Sequence, residues 1–193
     1  MARDRASRPE AKPLRLFVAI DVPDDVRASL AETVEPLRRA LPGRWTPSHN
    51  WHVTLKFLGS TYPRLVDPVV ETVREVAASH EPVETRITEL GAFPNPKRAR
   101  VLWAGLHDPS GHFAAIARDL DRALASDFKT EKRAFTPHLT VARFQPPVPV
   151  GGAIEGIEGG SRPFTVDRLV LYRSHLQRPA PRYEALEEFV LGR

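Results

Sequence analysis

The sequence predicts an α+β fold in which two similar lobes meet at a shared cleft. Three observations lead there. Short β-branched and apolar runs are interspersed with a few amphipathic helical stretches, which argues for mixed layers. A coarse internal repeat divides the chain, and each half carries strands, a helix and one strand marked by His-x-Thr. The length of 193 residues and the 41% apolar composition are enough for a sizeable core in one domain or two closely joined lobes.

Taken in order, residues 1–12 read as a disordered basic leader, with Arg3, Arg5, Arg8 and Lys12 set against Asp4 and Glu10. Residues 13–193 then read as a single bilobed domain. Residues 14–20 form a strand that Val22-Pro23-Asp24-Asp25 stops, with Asp24 as an N-cap. Val26, Leu30, Val34, Leu37 and Leu41 mark one face of a helix, which Pro36 should kink or shorten and Pro42-Gly43 ends. Residues 44–50 read as a loop and 51–58 as a strand ended by Gly59. Asp67-Pro68 opens a second helix, with Val69, Val70, Val73, Val76 and Ala77 facing the core. Residues 83–92 read as a strand, 93–98 as a turn and 100–106 as the returning strand. Ser110 should cap a third helix with Phe113, Ile116, Ala117, Leu120 and Leu124 on its apolar face. A basic loop over 129–133 leads into a strand over 138–144. Residues 145–160 are rich in Pro and Gly and read as a mobile loop. Strands over 164–172 and 183–191, joined by a turn over 174–179, complete the chain.

Composition removes several function classes. There is no cysteine, so disulfides, thiol catalysis and Cys-based zinc or iron–sulfur sites are excluded. No apolar run reaches the length of a membrane span and no signal-peptide core is present, so a soluble cytoplasmic protein with no membrane partner is expected. The formal charge is +4, of which the leader supplies +2. That permits nucleic-acid binding without showing it.

The chemistry lies in two echoing stretches, Trp51-His52-Val53-Thr54-Leu55-Lys56-Phe57-Leu58-Gly59 and Phe135-Thr136-Pro137-His138-Leu139-Thr140-Val141-Ala142-Arg143. Residues i and i+2 of a strand share a face. His52 and Thr54 therefore share one face, with Val53 and Leu55 behind them. His138 and Thr140 do the same in front of Leu139 and Val141. A lone His-x-Thr is most simply a sheet histidine beside a residue of high β propensity. Two of them in matching strands point instead to a small cleft carrying two imidazoles and two hydroxyls.

An imidazole can give or take a proton near neutral pH. One ring can take a proton from an attacking water while the other gives one to a departing oxygen. Phosphodiester hydrolysis needs both services, and the Thr hydroxyls can donate to the phosphoryl oxygens. The scheme requires no metal and no cofactor. A metal pair at His49 and His52 would need a helix where the sequence is strand-like, and a Ser-His-Asp site lacks a nucleophile motif. His80, His107 and His112 read as surface or capping residues, while His175 could line a cleft.

With Leu14-Arg15-Leu16-Phe17-Val18-Ala19-Ile20-Asp21-Val22-Pro23, and Leu171-Tyr172-Arg173-Ser174-His175-Leu176 with Tyr183, these stretches resemble the RNA 2',3'-cyclic phosphodiesterases. These form the 2'-5' RNA ligase family of the two-histidine (2H) phosphoesterase superfamily. The resemblance runs from about residue 14 to 191. It implies a bilobed fold with a pseudo-twofold axis through the cleft, antiparallel sheets lining the cleft and helices outside. It also implies metal-independent hydrolysis of RNA 2',3'-cyclic phosphate ends to 2'-phosphate ends. His52 would be the proton donor to the leaving 3' oxygen and His138 the proton acceptor that activates water. Thr54 and Thr140 would hold the phosphate, Phe57 would meet the base and Arg143 would lie near the phosphate. Strand alternation places Phe57 and Arg143 on the face opposite their own histidine, so these two roles require a twist or bulge.

The implied partners are RNA ends or nucleotide cyclic phosphates, and a monomer is expected. Rival readings are reversible 2'-5' RNA ligation by the same histidines, a phosphodiesterase for another small cyclic phosphate, and a non-catalytic RNA-binding module.

Overall fold

The computed structural model describes residues 12–157 and 159–193; apart from Lys12, the expected leader lies outside them. The elements run β1 (Leu14–Asp21), α1 (Asp24–Ala40), β2 (Arg44–Trp45), β3 (His52–Thr61), α2 (Val66–Ala78), β4 (Val83–Thr85), β5 (Ile87–Phe93) and β6 (Ala99–Leu106). They continue α3 (His112–Ala123), β7 (His138–Val148), α4 (Gly151–Ile154), β8 (Phe164–Val166), β9 (Arg168–His175) and β10 (Arg182–Val190). The main sheet has the order β10-β9-β1-β3-β7-β6-β5, with β2 also on β7, and β4 and β8 form a separate pair. Every pairing is antiparallel.

The internal repeat becomes a structural one. A β-α-β unit, β1-α1-β3, is matched by β6-α3-β7, and in each the two strands are neighbours. A third strand flanks each unit, β9 beside β1 and β5 beside β6. β3 and β7 meet through the pair Val53↔Leu139, and β2 of the first half also pairs with β7. β1 is central to its half: Leu16 to Ile20 are all buried, so the strand is covered on both faces.

Local sequence explains most elements, and the structure corrects several expectations. α1 runs through Pro36 to Ala40. Proline removes one intrahelical bond, but buried Val34 and Leu37 anchor the helix on either side of it. Asp24 lies in the first turn rather than serving as a side-chain cap. α3 is capped by Asp108 instead of Ser110: its carboxylate accepts from the backbone N–H of His112 at 2.7 Å and of Phe113 at 3.1 Å. The expected strand over 83–92 breaks at Arg86 into β4 and β5, and that over 164–172 breaks at Asp167 into β8 and β9. Residues 44–50 contain β2 and a 3-10 turn over Ser48–Asn50. Residues 145–160 are less loop-like than their Pro and Gly content suggests. β7 continues to Val148, and buried Val150 donates its N–H to the Pro96 carbonyl at 2.8 Å ahead of α4. Among the described residues no helix is long and apolar enough to cross a membrane.

Both motif strands carry a bulge at the same place. On β3, Thr54 pairs with Ala19 and Lys56 with Val18, so Leu55 has no partner. On β7, Thr140 pairs with Trp103 and Ala142 with Leu102, leaving Val141 without one. Two consecutive residues are then buried on each strand, Leu55 with Lys56 and Val141 with Ala142. The face alternation is reset beyond that point.

The bulge turns Lys56 inward, where it is 5% exposed. Its ammonium donates to the Asp121 carboxylate on α3 and to the Lys129 carbonyl at 2.7 Å. Asp121 also accepts from the Glu131 N–H at 3.0 Å, so one buried pair ties β3, α3 and the basic loop together. Removing one partner of a buried pair leaves the other charge uncompensated, at a cost of about 3 kcal/mol. Asp121→Ala should therefore lower the unfolding free energy by about that much. Lys56→Met should cost less, because Asp121 keeps its backbone donor and partial access to water. Denaturant midpoints at unchanged slope would read the order of the two, and the reverse order would contradict this account.

Candidate active site

The bulges decide which side chains share the cleft. Phe57 and Arg143 each lie five residues beyond their histidine, in corresponding positions of the two units. Simple alternation would turn them away. With one residue unpaired in each strand, both join His52, Thr54, His138 and Thr140 around a cleft of about 300 Å³. All six residues singled out in the sequence line it.

Each imidazole is held from behind by its own strand entry. His52 Nδ1 lies 2.9 Å from the Asn50 carbonyl oxygen, and His138 Nδ1 lies 2.7 Å from that of Thr136. A carbonyl can only accept, so Nδ1 carries the hydrogen in both rings and donates it. Nε2 is left facing the cleft in both. His52 Nε2 lies 3.1 Å from Thr54 Oγ1. Asn50 is itself fixed, donating from Nδ2 to the Pro181 carbonyl at 2.8 Å.

Aromatic rings fix the imidazole planes. Phe17 stacks on His52 at 4.8 Å between centroids, and Tyr183 meets it edge-on at 5.1 Å. On the other side Phe93 meets His138 edge-on at 5.1 Å, and Trp103 lies 6.4 Å away. Trp103 reaches this position because Gly91 opposes it across the sheet. A Cβ on Gly91 would fall 2.2 Å from the indole.

Burial disfavours the charged form of both rings. It pushes His52 down to about 4, against the Asn50 carbonyl and the Asp21 carboxylate, which act upward. Burial also lowers His138, against the Thr136 carbonyl, and Arg143 lowers it further. The charged surroundings thus differ. Asp21 is the cross-strand partner of His52, whereas Gly105 occupies that position opposite His138. The Asp21 carboxylate accepts from the Tyr172 hydroxyl at 2.8 Å and lies 3.6 Å from the Arg27 guanidinium. Burial raises the Tyr172 hydroxyl pKa, and its bond to Asp21 raises it further.

Sequence reasoning missed several of these residues as site components. Arg15, Arg44, Asn50, Phe17 and Tyr183 also line the cleft. Alternation carried a signal for one of them, since Arg15 and Phe17 are two apart on β1. Asn50 and Arg44 sit in the stretch read as a loop and had no such signal. Phe57 is 49% exposed, with the Arg15 guanidinium 4.6 Å above its ring. His175 does not line the cleft; its Nε2 pairs with Glu184 at 2.5 Å, while its neighbours Ser174 and Leu176 do line it. His49 lines a second cavity of about 540 Å³ beside Asp21 and Arg27. His80 pairs with Asp119 at 3.1 Å. Among the described residues no three His, Asp or Glu side chains are grouped to hold a metal ion.

The family model of the 2'-5' RNA ligase superfamily matches residues 23–178. A Methanothermobacter thermautotrophicus protein named RNA 2',3'-cyclic phosphodiesterase is 30% identical over 92% of this chain and 99% of its own length. A Thermus thermophilus protein of the same name is 31% identical, over 92% of this chain and 90% of its own. One from Geobacillus stearothermophilus is 29% identical over 91% of this chain, which spans only 56% of that protein's length. A crystal structure of a Thermus thermophilus protein superposes with a TM-score of 0.78 at 29% identity, covering 93% of this chain and 98% of that one. The crystal structure of E. coli LigT complexed with 3'-AMP gives 0.73 at 25% identity, covering 94% and 99%. The family match takes in both His-x-Thr strands and most of the fold that presents them, and this chain belongs to the 2'-5' RNA ligase superfamily.

Proposed function

We propose that this chain hydrolyses RNA 2',3'-cyclic phosphate ends to 2'-phosphate ends by two-histidine acid–base catalysis, without a metal or cofactor. The observation that carries the reading is the pair of imidazoles on adjacent strands, each with Nδ1 tied to a carbonyl and Nε2 toward one cleft. The names of the relatives, RNA 2',3'-cyclic phosphodiesterase, support the substrate class.

In this reading water attacks phosphorus and gives its proton to His138 Nε2. The bond from phosphorus to the ribose 3' oxygen breaks, and His52 Nε2 gives that oxygen a proton. Thr54 and Thr140 donate to the non-bridging oxygens, and Arg143 adds positive charge beside them. Phe57 offers the base an exposed ring face. Residues 13–193 act as one catalytic unit. A monomer suffices, since one chain supplies every residue invoked.

Neighbouring charges act on both rings. A near-symmetric site needs something to decide which ring starts protonated. Asp21 favours the imidazolium at His52 while Arg27 disfavours it there, and Arg143 disfavours it at His138. Burial alone keeps both rings neutral near pH 7. A bound phosphodiester anion works against burial at both, and on the proposed roles the anion and Asp21 together offset the deeper burial of His52.

Two measurements test this. In EDTA, the protein should convert a short RNA 2',3'-cyclic phosphate to the 2'-phosphate. His52→Ala and His138→Ala should each reduce the rate roughly 10²–10⁴-fold. A 3'-phosphate product would reverse which oxygen leaves, and full metal dependence would overturn the scheme. Second, Asp21→Asn removes a negative charge beside His52, so imidazolium becomes less stable and its pKa falls. The alkaline limb of the kcat profile, where His52 loses its proton, should then move to lower pH. A uniform loss at every pH would make Asp21 a purely structural residue.

A further inference from the structure

Three arginines, Arg15 from β1, Arg44 from β2 and Arg143 from β7, line the cleft, and among the described residues no Asp or Glu lines it. Among the described residues none of the three has an ion-pair partner. Arg27, Arg39, Arg74, Arg162 and Arg168 by contrast each meet a carboxylate. Solitary surface arginines are ordinary, but three converging on one concavity repel one another unless an anion answers them.

Their positions are fixed by the sheet. Arg44 is the cross-strand partner of Arg143. Arg15 lies over Phe57, the counterpart of Arg143 in the other unit, with its guanidinium 4.6 Å from the ring centroid. Stacking occupies the face of a guanidinium and leaves its N–H donors free in the plane. Tyr183, whose ring meets His52, feels all three: burial raises its hydroxyl pKa while Arg143, Arg15 and Arg44 lower it.

A cyclic phosphodiester carries one negative charge, and in the reading above Arg143 with the two threonines already answers it. Two cations remain. We propose that Arg15 and Arg44 form a subsite for a second phosphate, the one on the 5' side of the nucleotide that bears the cyclic end. The inference rests on the cyclic-phosphate reading and specifies its substrate as a nucleotide with at least two phosphates. That phosphate is either a terminal 5' monoester or the internucleotide diester of a longer RNA.

Binding and turnover test the subsite and the function separately. Calorimetry would compare adenosine 2'-monophosphate, adenosine 2',5'-bisphosphate and a diadenosine ending in a 2'-phosphate. At least one of the latter two should bind about tenfold tighter than the monophosphate, because a charge-assisted phosphate contact is gained. Preference confined to the bisphosphate would indicate a 5' monoester; preference extending to the dinucleotide would indicate an RNA internucleotide phosphate. Arg15→Gln and Arg44→Gln should each reduce that ratio about three- to tenfold. The dinucleotide's log–log salt slope should also exceed that of the monophosphate by about 0.7. Equal affinity of all three ligands, or a preference that survives both substitutions, would overturn the subsite. Hydrolysis of a diadenosine ending in a 2',3'-cyclic phosphate, which carries both phosphates, reads the catalytic proposal on its own. Preference without turnover would sink that proposal and leave the subsite standing.

Discussion

The arrangement depends on one irregularity, used twice. A strand of uniform pleat would show His52 and Thr54 to the cleft and turn the residue five places on toward the helices. The unpaired Leu55 and Val141 interrupt the pleat just after each His-x-Thr. The same strand then presents an imidazole, a hydroxyl and, farther along, an aromatic ring or a guanidinium to one side. The surplus inward residue of β3 is Lys56, and its pair with Asp121 holds α3 against the strand. The bulge therefore aims the site and anchors the scaffold behind it.

Symmetry of backbone is combined with asymmetry of charge. Both rings are oriented by carbonyls two residues before them and by aromatic neighbours, so position comes from equivalent devices. What differs is Asp21 against Gly105, and Phe57 against Arg143. Two equivalent imidazoles would leave the direction of proton flow undecided. On the proposed roles, Asp21 favours the imidazolium at His52 against burial and Arg27, and Arg143 disfavours it at His138.

Much of this was legible in the sequence because strand period and motif reinforce each other. The alternation around His52 and His138 identified two half-buried strands, and the repeat of the motif placed them in equivalent units. The face reversal at Phe57 and Arg143 could be stated only as a requirement, since a bulge depends on the partner strand's register. Asn50 and Arg44 were invisible because short segments gain structure from tertiary pairing, here with Pro181 and with β7. Pro and Gly between 145 and 160 concealed the extension of β7 and the buried Val150 for a similar reason. Punctuation residues mark where structure is hard to form locally, and packing can still impose it. Ser110 lost the cap to Asp108 because a carboxylate two residues earlier reaches two backbone donors at once.

The tied Nδ1 atoms have a consequence for the cycle as a whole. On the proposed roles, His52 ends each turnover without its proton and His138 ends with one, the inverse of the starting state. A ring open at both nitrogens could reset through its far side. Here the far side of each ring is committed to a carbonyl acceptor, so the only exchange port is the nitrogen that did the chemistry. The proton must travel back through the cleft itself, along the path the departing product uses. Recovery of the enzyme and release of the product therefore share one doorway.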